Sequence, residues 1–228
     1  MLNYLKPEII IEVICFIIAS LCLLKANPRI WQYQIAYLCV VCTVELTGVY
    51  LKRHHQGNQW IYNILLLFEI LFICLMFRYL FSRYIRGRAI IICGLTILII
   101  LYIYELSVHG FLIYNNITYT IMSVVYILYA LFYYYLLLKD ESYIDLKFSC
   151  EFWWVTGILF FYFGSTAANL FHGRLSGIKI TSKHFLPYYI FIVLNYLIYG
   201  CWSYSFICKK WLTKTSRAWL LSLRSFFW

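Results

Sequence analysis

Apolar runs of roughly 17–25 residues recur from one end of this sequence to the other, separated only by short charged or polar breaks. As a helix rising 1.5 Å per residue, a run of that length crosses the roughly 30 Å of bilayer hydrocarbon. Backbone in lipid finds no water to bond, and a helix satisfies its own peptide groups within one segment. Seven such runs occur, at residues 8–24, 31–51, 60–80, 89–106, 115–138, 150–171 and 187–208. The expected fold class is all-α: a polytopic membrane protein, a seven-transmembrane-helix bundle. Lys25 to Arg29, Lys52 to His55, Arg83 to Arg88, Lys139 to Glu141, His172 to Arg174 and Lys209-Lys210 stop the runs. Breaks this short make neighbouring helices antiparallel and leave no soluble domain between them. The first run has a weak basic flank and no small-residue cleavage site, so it reads as a retained helix.

Composition agrees with lipid as the solvent. Only 12% of residues are charged, where a soluble domain carries about a quarter. Folding in water could not hide a chain that is 64% hydrophobic, because a small domain has too little interior. The 23 Tyr and 8 Trp suit the headgroup levels, where amphipathic rings settle.

The net charge of +10 does not point to nucleic acid, since the basic residues sit at run ends rather than along one face. It sets orientation instead. Thirteen of the 19 Lys and Arg fall on one side of a seven-span arrangement and six on the other. The richer side is expected in the cytoplasm, which puts the N-terminus out and the C-terminus in. The Arg78 to Arg88 segment belongs to that side and could also meet acidic lipid headgroups or a cytoplasmic partner. Residues 209–228 read as a basic amphipathic helix lying in the inner interface.

Ionisable groups inside spans are costly against lipid and are the default functional candidates. Glu12, Glu45, Glu69 and Glu105 qualify, with Asn63, Asn169 and Asn195 beside them. Counting rises along antiparallel helices places Glu45 about 20 Å from the inner end of its helix and Glu69 near the midplane. The whole set gathers in the outer half, and His172 would stand at its rim. The expected ligand-binding residues are therefore Glu45, Glu69, Asn63, Glu105, Asn169, Asn195 and His172, around an outward-facing polar cavity. The competing expectation is purely structural: such groups also hydrogen-bond helix to helix.

No HxxxH or HExxH spacing supports a metal site, and no cofactor class is indicated. None of the nine Cys falls in an expected outer loop, which suits free thiols. No P-loop, GxSxG or selectivity-filter sequence is present. The leading functional expectation is a non-enzymatic sensor or signalling accessory. Its partners would be the bilayer and a cytoplasmic or membrane signalling protein. An intramembrane lipid-modifying enzyme and a proton-coupled transporter or channel are the alternatives.

The segment Glu151 to Ser165, EFWWVTGILFFYFGS, with Tyr62-Asn63-Ile64 followed by Glu69, resembles a group of small, uncharacterised seven-helix membrane proteins of Bacteroidota. The resemblance implies an inner-membrane location and an association with signalling systems. It brings no catalytic residues to transfer.

Overall fold

The computed structural model describes residues 7–226 apart from 86, 141–144, 172–174, 176 and 182–183, with backbone alone for residues 179, 181, 184 and 212–226. Among the described residues seven long helices follow one another: α1 (Pro7–Leu23), α2 (Ile30–Arg53), α3 (Gln59–Ser82), α4 (Arg88–His109), α5 (Asn116–Lys139), α6 (Cys150–Leu170) and α7 (Leu186–Phe226). A single 3₁₀ turn, Leu146–Phe148, precedes α6, and strands β1 (Lys179–Thr181) and β2 (His184–Phe185) form a small antiparallel hairpin before α7. Sequence chemistry explains several ends. Pro7 opens α1, where its missing N–H costs nothing. Ser149 caps α6 by accepting from the backbone N–H of Phe152 at 3.3 Å, and Gly110 ends α4 with a φ of 75° that few other residues tolerate.

Among the described residues, five helices are long and apolar enough to cross a membrane: α2, α3, α4, α5 and the Leu186–Trp211 part of α7. This is a multi-pass membrane protein. Helix α1, at 17 residues, is about 25 Å long, just short of the hydrocarbon thickness. Helix α6 dilutes its apolar residues with Thr156, Gly157, Gly164, Ser165, Thr166 and Asn169. At the C-terminal end the helix does not break at the expected boundary near Cys208. It continues as one rod to Phe226, because no Gly or Pro interrupts the segment after Gly200.

The helices form a closed ring. Each packs on its neighbour in sequence, α7 packs on both α6 and α1, and α3 also touches α5 directly. That last contact pushes α4 to the outside, and it is the least buried of the five apolar helices. Small residues set the closest approaches. A Cβ on Gly157 would stand 3.1 Å from the Cys201 Cβ and 3.3 Å from the Ile198 carbonyl oxygen of α7. At that contact Trp154 and Trp202 stack at 5.8 Å with their planes 2° apart. Across it, Ser205 Oγ donates to the Cys150 carbonyl at 2.7 Å and Trp202 Nε1 donates to the Trp154 carbonyl at 3.2 Å. Hydrogen bonds like these suit helix pairs in lipid, where apolar burial alone does not favour association. All nine cysteines are free.

Candidate functional site

Helical periodicity brings the intramembrane acids together. Residues four apart share one helix face, and four helices of the ring turn such a pair or triplet inward. Helix α1 presents Glu8 and Glu12; α2 presents Tyr37, Val41 and Glu45; α3 presents Leu65 and Glu69; α7 presents Asn195 and Tyr199. Tyr119 of α5 and Phe161 of α6 complete the wall. These side chains enclose a cavity of about 220 Å³. It lies at the end of the bundle that holds the start of α1, the α2–α3 turn and the start of α5. Helix α4, outside the ring, contributes nothing to it.

Four carboxylates, Glu8, Glu12, Glu45 and Glu69, face one cavity, and no Lys or Arg is among the described residues that line it. Each is held. Tyr162 donates its hydroxyl to Glu69 Oε1, and Tyr126 donates to the Glu69 carbonyl at 3.3 Å. The two tyrosine rings meet edge to face at 5.0 Å. Tyr62 donates to Glu45 Oε2 at 3.2 Å. Room for that tyrosine comes from Gly48, where a Cβ would lie 2.6 Å from the hydroxyl. Glu12 is buried, 5% exposed, while Glu8 stands in the first turn of α1, where the helix dipole favours negative charge. Asn195 Nδ2 donates back to the Phe191 carbonyl at 2.9 Å.

Aromatic packing continues from the cavity wall into the bundle. Tyr37, 4% exposed, stacks on Phe72 at 4.4 Å and meets the edge of Trp202 at 6.0 Å. Beyond it lie Trp154, Phe77 and Phe81, all fully buried.

Chemically the cavity is a concave, negatively charged space with π-faces in its wall: Tyr37, Tyr119, Phe161 and Tyr199. Such a wall attracts a cation twice, through carboxylate charge and through the ring quadrupoles. Its carboxylates are spread around the wall. Among the described residues, no three His, Cys, Asp or Glu side chains come close enough to hold one metal ion. The volume equals that of about seven waters at roughly 30 Å³ each, room for a small organic molecule rather than a drug-sized one.

No family model, curated protein or solved structure matches this chain.

The expected site residues divide four ways. Glu45, Glu69 and Asn195 line the cavity. Asn63 and Glu105 lie elsewhere, in the scaffold of the α4–α5 turn. Asn63 Nδ2 donates to the carbonyls of Phe111 at 3.0 Å and Ile113 at 2.8 Å, and its Oδ1 accepts from the Asn115 N–H at 3.1 Å. Glu105 accepts from the Ile117 N–H at 3.0 Å, and from the Thr118 N–H and hydroxyl at 2.8 Å each. Its carboxylate thus caps the start of α5, where no adjacent side chain does so. Between these anchors, burial raises the Tyr114 phenol well above its ordinary pKa and keeps it neutral. Asn169 is exposed near the end of α6 and does not line the cavity. His172 lies outside the described residues. Sequence reasoning overlooked Glu8 and the tyrosines as members of the site. A signal for Glu8 was present, one helical turn before Glu12.

Proposed function

We propose that this protein is a non-enzymatic membrane receptor whose outward-facing cavity binds a small organic cation. Occupancy would be passed to a membrane or cytoplasmic signalling partner. The observation that carries the reading is the meeting of four carboxylates and four aromatic rings on one 220 Å³ cavity. The ligand class that fits is a compact amine or diamine, whose ammonium groups reach separate carboxylates while its carbon chain lies on the rings.

The topology that completes this reading has seven spans, with the N-terminus outside and the C-terminus in the cytoplasm of a bacterial inner membrane. Helices α1 and α6 span alongside the five more apolar helices, and the basic bias supports the orientation.

The test is calorimetric titration of the protein in nanodiscs with 1,4-diaminobutane and with tetramethylammonium. Saturable binding of one of them is expected, weakened about tenfold by Glu69→Gln, the factor for roughly 1.4 kcal/mol. Glu69→Gln leaves the ring and its aromatic packing in place. Two results would reject the receptor reading: binding unaltered by that substitution, or proton flux into protein-containing liposomes that the substitution abolishes.

A further inference from the structure

At the opposite end of the bundle is a second, larger cavity, about 680 Å³. It lies where α3 ends and where α2 and α4 begin. Arg78 projects from the last turns of α3 and Arg88 from the first residue of α4, so the groove carries a guanidinium from each of two helices. Both arginines are exposed, and neither has an ion pair among the described residues. Glu151 lines the adjacent crevice, beside Arg83 and Tyr84, and not this groove. Ser82, also on the wall, has its hydroxyl committed to the Tyr79 carbonyl at 2.7 Å. The side-chain donors left on the wall are the two guanidinium groups and the Tyr79 hydroxyl.

Backbone adds to the same field. Ile30 and Gly87-Arg88 bring the first residues of α2 and α4 to the groove, and neither helix has a side-chain cap. Helix starts carry partial positive charge, a favourable setting for an oxyanion, while at α2 the N–H groups of Trp31, Gln32 and Tyr33 are already bonded to the Pro28 and Arg29 carbonyls. Two arginines and two helix starts around one space are complementary to phosphate, which a guanidinium grips through paired N–H bonds.

Part of the lining is apolar: Leu75 stands one helical turn from Arg78 toward the bilayer interior and is 49% exposed, and Ile85 also lines the groove. A soluble phosphate has no use for such a surface. A phospholipid does, since its phosphate sits at the helix ends while its glycerol and first acyl carbons descend along the protein. The volume, equal to more than twenty waters at roughly 30 Å³ each, also far exceeds one phosphate.

We propose that this groove is a binding site for an anionic phospholipid, with Arg78 and Arg88 clamping its phosphate between the starts of α2 and α4. The site is independent of the acidic cavity, which lies at the other end of the bundle.

The test is native mass spectrometry of the protein released from nanodiscs of phosphatidylcholine with a minor share of phosphatidylglycerol. Preferential retention of phosphatidylglycerol is expected. Arg78→Gln/Arg88→Gln should reduce it tenfold or more, in line with two interfacial cations removed. Lys139→Gln, another basic residue at that membrane face, should leave retention unchanged. Arg78→Lys/Arg88→Lys keeps the charge, loses the forked geometry, and should weaken retention several-fold. Both arginines are exposed, so the variants should melt like the parent, and the melting curves check this. Equal loss in Lys139→Gln, or full retention in the double Lys variant, would reduce the effect to general attraction and overturn the clamp. A free-phosphate arm separates the two sources of the anion. If millimolar inorganic phosphate or glycerol 3-phosphate displaces the retained lipid, the groove serves a soluble phosphate and the lipid assignment fails.

Discussion

Replacing Glu105 should loosen the start of α5 without touching the acidic cavity. Its carboxylate takes three hydrogen bonds, from two backbone N–H groups and the Thr118 hydroxyl, at 2.8–3.0 Å. Glu105 is 3% exposed and Thr118 is fully buried, so water cannot replace what is removed. Hydrogen bonds to a charged acceptor contribute about 1.5–3 kcal/mol each, and stranded buried donors add their own cost. The three share one acceptor and are not additive, so Glu105→Ala should cost about 3–5 kcal/mol. For a chain of this length each kcal/mol moves the melting temperature by about 2–4 °C, giving a fall of roughly 6–20 °C. Glu105→Gln keeps one acceptor oxygen but turns an amide donor toward donors, and should lose about half as much. Thr118→Val removes one of the three bonds and should cost about 1 kcal/mol. Tryptophan fluorescence during heating of detergent-solubilised protein measures all three. An unchanged melting temperature for both Glu105 variants would refute the capping role. Lost diamine binding with normal melting would move Glu105 to the ligand site.

Four further outcomes test other links. Gly157→Val should separate α6 from α7 and cost about 1–3 kcal/mol of strain, since even a Cβ there already meets the Ile198 carbonyl oxygen at 3.3 Å; the melting temperature reads it. At Gly94 a Cβ would coincide with the hydroxyl of Tyr129, which donates to the Ile90 carbonyl at 3.2 Å, so Gly94→Ala should destabilise α4 against α5, and Gly94→Ala/Tyr129→Phe should recover part of the loss in the same assay. Asn63→Ala releases three hydrogen bonds to residues 111–115, and hydrogen exchange should quicken in that turn first while α3 stays protected. A reporter fused after Lys139 should be active only in the cytoplasm; external activity there would invert the proposed topology.

What the sequence by itself determined is the solvent and the helices. Runs such as Trp60 to Leu80 and Ala89 to Leu106 are apolar whatever their neighbours, because transfer into hydrocarbon depends on each residue's own surface and on a backbone that bonds to itself. The same local reasoning singled out Glu45, Glu69 and Asn195, since a polar group in a span needs a partner wherever the chain puts it. It could not say which partner. Glu69 and Glu105 look alike in sequence, each a single acid in an apolar run. The tertiary structure separates them: Glu69 faces a cavity beside Tyr162, whereas Glu105 bonds the next helix and closes its N-terminus. The same holds for the helix set, because hydropathy ranks α4 among the most apolar but does not place it outside the ring, with α3 touching α5 behind it. The C-terminal rod differs for a related reason. A charge pattern at Lys209-Lys210 marks a membrane boundary, but only a backbone break can turn a helix, and the chain supplies none before Phe226. Hydropathy is a property of one segment, while a site is a property of the rotation and contact of several. That rotation is settled by close approaches such as Gly157 on Ile198 and Gly48 on Tyr62, whose partners lie tens of residues or one turn-and-return away in the chain.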